Sequence, residues 1–247
     1  MRLGSTALAV ALCGCSAQIS GGFGPGLGID SVPDAGVDPI GDASTAPACT
    51  RRSVYLNFEG QKLTRGPSDA VLDQASWMMA RDQGTALPYQ LTNLDRLAAI
   101  KTIFDGIRGQ LARFPIDVTT TRPMSGNYVM IVFGGRARAV GSNFTDAVNE
   151  LDCGDIRPND VAWISDSVSP PQRVINTAIG AIGFGLGLTA TSDPKDCMCG
   201  WDNDCLSDDS APCTLGSPIA RDPLANQLCP DRTPEDEVAA FRTAFCG

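Results

Sequence analysis

From Val174 to Thr191 the chain runs without a single charged side chain, and glycine falls at 180, 183, 185 and 187. So apolar a stretch can go to three places: across a membrane, into a phosphate-cradling loop, or into a buried helix. A span needs about 20 apolar residues, and this run is marginal in length, contains Asn176 and its glycines, and leads straight into a cysteine-rich continuation. The spacing Gly183-x-Gly185-x-Gly187 is that of a phosphate loop, but no strand feeds directly into it. A buried helix is expected instead, opened near Pro171, where proline suits a first turn. Each glycine costs such a helix roughly 1 kcal/mol relative to alanine, so the cluster needs a packing or ancestral reason.

The chain of 247 residues has ten cysteines, no histidine and a formal charge of -9. Acidity of this size, with only short basic runs such as Arg51-Arg52, argues against a nucleic-acid partner. Met1-Arg2 followed by the apolar run Leu3 to Leu12 has the layout of an export signal. Leu12-Cys13-Gly14-Cys15 resembles a bacterial lipobox, with Cys15 as the lipidated residue, which implies an exported protein anchored to the cell envelope; Ser16 fits sorting to the outer membrane. The segment 16–48 is dominated by Gly, Pro, Asp, Ser and Ala and is expected to be a disordered tether reaching roughly 30 Å. Setting aside Cys13 and Cys15 leaves Cys49, Cys153, Cys197, Cys199, Cys205, Cys213, Cys229 and Cys246. In an oxidising compartment an even set means disulfides, with about 105 connectivities open. Cys197 and Cys199, one residue apart, are expected to bond elsewhere than to each other.

Ordered structure is expected over 49–247 as one α+β domain: a mixed twisted sheet packed against a long helix and a buried helix, with a Cys-rich irregular C-terminal part. Strands are predicted at Val54 to Phe58, Ile116 to Thr121, Tyr128 to Phe133 and Val161 to Ser165. A helix is predicted from Ser68 to Arg81, carrying Val71, Leu72, Ala75, Met78 and Met79. A second opens at a capping-box-like Thr92 and Asp95 and places Leu94, Leu97, Ile100, Ile103, Phe104, Ile107 and Leu111 at helical spacing. A short terminal helix is predicted to start from a Thr233 cap.

The uncharged run also resembles the metzincin zinc-protease pattern H-E-x-x-H-x-x-G-x-x-H when laid on Gly180 to Ala190. The turn glycine matches at Gly187, and Met198 stands where a Met-turn methionine would lie. With the long helix and the strands around it, the resemblance implies a zincin-like domain covering about Arg52 to Trp201. Every reactive position departs from the pattern: Gly180, Phe184 and Ala190 replace the three histidines, and Ala181 replaces the catalytic glutamate. None can donate a lone pair to zinc or accept a proton. The resemblance therefore implies a degenerate protease with no catalytic residue, no metal and no cofactor, and with disulfides in place of a structural zinc.

Other constellations carry less. Trp201-Asp202-Asn203-Asp204, with Asp208 and Asp209, lacks the spacing of a calcium loop and reads as a solvated acidic segment. A carboxylate pair such as Asp117 and Glu150 stays open as an acid/base alternative. Three functions follow as expectations: peptide or protein binding through a residual cleft or sheet edge, a structural envelope lipoprotein without a ligand site, or an enzyme with atypical ligands.

Overall fold

The structure, a computed structural model, describes residues 52–90, 95–201, 204–216, 228–230 and 235–245. The export signal with Cys15, the segment 16–48, Leu94, and the Thr92 and Thr233 caps lie outside them, as do Cys49 and Cys246. Contacts divide the chain into Met1–Thr45 and Ala46–Gly247, and all described residues belong to the second unit.

The architecture mixes α and β in three layers. Its centre is a five-stranded sheet built from β1 (Ser53–Asn57), β5 (Asp117–Thr119), β6 (Tyr128–Phe133), β7 (Ala147–Val148) and β8 (Asp160–Ile164), in the order β5-β1-β6-β8-β7. All neighbours are parallel except β7, which runs antiparallel to β8. Side chains alternate across the sheet with period two. Val54, Leu56, Ile131, Phe133, Ala162 and Ile164 face one core. Tyr55, Met130, Val132, Val161 and Trp163 face a second. Burial on both faces explains why β6 and β8 read as unbroken apolar runs.

The first face is covered by α1 (Arg96–Leu111), α3 (Pro171–Gly185) and α4 (Glu237–Ala244). Helix α1 buries Ala99, Ile103, Ile107 and Leu111, while Leu97, assigned to its apolar stripe from spacing, is 72% exposed. Asp95 is itself the N-cap, accepting from the Leu97 N–H, rather than the third residue of a capping box. Asp236 likewise caps α4, accepting from the Ala239 N–H, so that helix starts three residues later than a Thr233 cap implies. Pro171 opens α3 as expected.

The second face is covered by a small sheet of β2 (Gln61–Arg65), β3 (Gln74–Ala75) and β4 (Gln83–Ala86), with the short α2 (Ala137–Val140) beside β4. Here the expected helix from Ser68 to Arg81 does not form. Asp73 takes a positive φ of 55° and breaks any helical path, the Asp69 carboxylate accepts from the Val71 N–H in a local turn, and Val71, Leu72 and Met79 are exposed. The apolar side chains the segment buries are Ala70, Ala75, Trp77 and Met78, with the Trp77 Nε1–H donating to the Val161 carbonyl at 2.7 Å. The indole needed a partner on the sheet, and a helix would have turned it elsewhere.

Among the described residues no helix is long and apolar enough to cross a membrane. The uncharged run is instead a buried helix and the turn that ends it.

Candidate functional site

Helix α3 is buried on nearly every side, and its glycines are where other parts of the chain touch its backbone. A Cβ at Gly180 would collide with the Trp201 indole nitrogen and with the Cys197 carbonyl. A Cβ at Gly183 would stand 2.7 Å from the Met198 sulfur. At Gly185 it would meet the side chains of Asp160 and Asn149. Gly187, at φ +77°, ends the helix: Leu188 N–H donates to the Gly183 carbonyl and Gly187 N–H to the Phe184 carbonyl, both at 3.0 Å. This is a Schellman turn, and its left-handed residue is the one that glycine favours. A Gly-rich stretch at the C-terminal end of a helix presents carbonyls, so it is not a phosphate cradle.

The Cys-rich segment is stapled onto this helix. Cys197 bonds Cys213, Cys199 bonds Cys205, and Cys153 bonds Cys229, so Cys197 and Cys199 do pair elsewhere. The Cys199–Cys205 bridge closes the loop that carries Trp201 and Asp204. Buried Asn176 of α3 ties in the same segment, donating to the Ala211 carbonyl and accepting from the Cys213 N–H, both at 3.0 Å. Trp201 lies across Gly180 and stacks on Phe184, with ring centroids 5.3 Å apart and planes tilted by 33°.

Beside this aromatic pair runs β7, which is the edge of the sheet among the described residues. Ser165 N–H donates to the Asp146 carbonyl at 2.7 Å, and Ala147 pairs with Ile164. Ala147–Ile164 is therefore the non-hydrogen-bonded pair, and the Ala147 N–H and C=O point away from β8 to the free edge. Two open cavities flank that edge. One, of about 420 Å³, is walled by Phe144, Val148, Phe184 and Trp201; the other, of about 710 Å³, is lined by Asp146, Arg173, Thr177, Leu206 and Asp209. Ala147, Gly200, Trp201 and Asp204 border both.

Behind the edge sits a polar lock. Asn149 Nδ2 donates to Asp160 Oδ2 and to the Ala181 carbonyl, each at 2.9 Å. Burial pushes the Asp160 carboxyl up to about 7, against the opposing pull of the hydrogen bonds from Asn149 and the Val161 N–H. The lock fixes the strand leaving β7 to the last turn of α3, where Asp152 N–H also meets the Phe184 carbonyl at 3.4 Å.

The residues singled out from the zinc-protease resemblance divide into three groups. Gly180 and Phe184 are brought together by Trp201, and Met198 lies fully buried against Gly183. Ala181 points into the core, and Ala190 is fully buried and lines neither cavity. The donor set does not fit zinc: glycine, phenylalanine and alanine offer no lone pair, and the indole of Trp201, whose nitrogen is a donor only, lies against Gly180. Among the described residues no group of three or more Cys, Asp or Glu is placed to hold a metal ion. Asp208 is turned to Ser210 and Asp209 to Ser207 and Arg173, while Asp202 and Asn203 lie outside the described residues.

The pair Asp117 and Glu150 is not a catalytic pair. Asp117 lies in β5, and Glu150 follows β7 at the opposite edge of the sheet, where it binds Ser76 and Arg157. Four strand spacings separate the two edges by ~19 Å, well beyond the ~9.5 Å limit for an acid and base sharing one bond. Sequence marks Trp201 and Asp204 only as members of the acidic segment weighed for calcium, and gives no signal for Phe144. The one usable signal was the missing Cβ at Gly180, which marks a close neighbour without naming it. No family model matches the chain, and no curated protein matches it.

Proposed function

We propose that the chain is a non-catalytic, metalloprotease-like surface lipoprotein that holds an extended segment of a peptide or protein along β7. The observation that carries this reading is the outward-facing N–H and C=O of Ala147 at a sheet edge that no described residue pairs with, between two open cavities. An added strand takes its main-chain bonds from such an edge and its selectivity from pockets for alternate side chains. The protease-like ancestry is supported by the Schellman turn at Gly187 and by Met198 beneath Gly183. The lack of catalysis follows from residues that can neither bind a metal nor move a proton at the corresponding positions.

Ala147→Pro tests it. Proline at an edge position whose N–H faces away from the ladder removes that donor and leaves the bonds to β8 in place. Peptides captured by the full chain on an array should lose at least about tenfold in affinity to the variant, the worth of a buried hydrogen bond left unmade, with an unchanged circular-dichroism spectrum. Equal binding by the variant would remove strand addition from consideration. A chain that captures no peptide would leave a structural role in the envelope.

A further inference from the structure

The two cavities beside β7 differ in wall chemistry but share one sign of charge. The smaller has three aromatic rings, those of Phe144, Phe184 and Trp201, and one carboxylate, Asp204. The larger adds Asp146 and Asp209, whose facing cation among the described residues is Arg173, at 3.2 and 3.5 Å. Among the described residues, three carboxylates thus stand against one guanidinium around a single edge strand. An aromatic wall presents the negative faces of its rings, and a nearby carboxylate adds a full charge, so the group that gains most from entering is a cation on an apolar stem.

We propose that the segment seated on β7 carries a lysine or arginine side chain, which enters the cavity between Phe144, Phe184 and Trp201 and meets Asp204. The inference rests on strand addition at Ala147. The apolar stem of the side chain covers Phe144, which is 59% exposed, while the charged head lies within reach of the Phe184 and Trp201 rings. The occupant comes from another molecule. Residues 16–48 of this chain hold Asp30, Asp34, Asp38 and Asp42 with no lysine or arginine, so they supply no side chain of the required charge.

The test uses the full chain and three end-blocked heptapeptides of alternating valine and threonine, with lysine, norleucine or glutamate scanned through the central positions. Binding is read from the change in tryptophan fluorescence, which is assigned to Trp201 because it alone of the three tryptophans lines the cavity while Trp77 and Trp163 are buried elsewhere. The lysine peptide should bind about tenfold tighter than the norleucine peptide, and the glutamate peptide more weakly than either. Tetramethylammonium should compete with the lysine peptide at concentrations where sodium at equal ionic strength does not. Asp204→Asn and Phe144→Ala, both at exposed side chains, should each bring the lysine peptide down toward the norleucine value. If norleucine binds as well as lysine while Ala147→Pro still abolishes binding, strand addition stands and the cation inference fails. If none of the peptides binds, both fail together.

Discussion

The two halves that clasp α3 are held by different forces. The sheet half, β1 to β8 with α1, is packed by alternating aliphatic and aromatic side chains on two faces, and its order needs little beyond hydrophobic burial. Among its described residues, the half after Gly187 shows a short helix and an isolated bridge between Asp196 and Thr214. Cystines hold it, together with Asp196, Glu235 and Glu237, all at most 4% exposed. Glu235 accepts from the Thr189 N–H at 2.7 Å and from its hydroxyl at 2.9 Å, and Glu237 accepts from the Gly216 N–H at 2.7 Å. The difference shows how an irregular segment becomes rigid enough to place Trp201 and Asp204 beside a sheet edge. Covalent closure and buried polar bonds do there what periodic packing does in the sheet.

Reduction should expose this difference most strongly. In the chain-entropy picture, loops of 76, 16 and 6 residues contribute roughly 4, 3 and 2 kcal/mol when closed. Their combined loss, on the order of 10 kcal/mol, compares with the whole stability of a typical domain. Hydrogen exchange read by mass spectrometry with and without reductant should show residues 196–216 losing protection first, and β1, β6 and β8 last. Simultaneous loss in both halves would mean that they form one cooperative unit and that the contrast is only architectural.

Proton linkage separates the halves next. Burial, reinforced by the Asp196 carboxylate beside it, pushes the Glu237 carboxyl up to about 9, and the protonated group bonds Asp196. The folded state therefore holds more protons than the unfolded chain from about pH 4.5 upward, so stability falls as pH rises through that window toward 9. Glu237→Gln keeps an amide donor for Asp196 and cannot ionise, so urea midpoints at pH 5, 7 and 9 should flatten in the variant. The slope that remains should end near pH 7, where Asp160 of the sheet half finishes titrating from its ordinary value of 3.8. A variant as steep as the parent up to pH 9 would place the proton elsewhere.

The same contrast decides what could be read in advance. β6 was legible to the residue and β8 to within one, because both faces of each strand are buried and no polar residue interrupts the run. The start of α3 was legible from Pro171, and the separate partners of Cys197 and Cys199 from covalent geometry. The segment 68–81 has a misleading pattern, because Ala75 and Met78 satisfy helical spacing while Trp77 bonds the Val161 carbonyl of the sheet. The site was legible only as a loss. Gly180, Phe184 and Met198 could be named from spacing, but Trp201 lies 21 residues beyond Gly180, and nothing local says that an indole fills the place of a missing side chain. Such a contact is carried by the fold and the Cys199–Cys205 loop, not by periodicity.

One substitution made twice gives the finest comparison. Gly109 lies in α1 with nothing within 4 Å of where a Cβ would stand, so Gly109→Ala should follow helix propensity and the reduced freedom of the unfolded chain, a gain of about 0.4–1 kcal/mol. Gly180 lies in α3 with the same intrinsic preference, yet a Cβ there meets the Trp201 indole and the Cys197 carbonyl, one held by the Cys199–Cys205 loop and the other by the Cys197–Cys213 bridge. The backbone carbonyl cannot turn away without disturbing the staple, so Gly180→Ala should lose about 1–3 kcal/mol as an overpacked core does. Urea midpoints for the two variants should therefore move in opposite directions. Trp201 fluorescence should change in Gly180→Ala alone, because only there is the ring pushed off its seat. A Gly180→Ala protein as stable as Gly109→Ala would mean that Trp201 is free to leave the helix, and that the wall of the cavity beside β7 is not preformed.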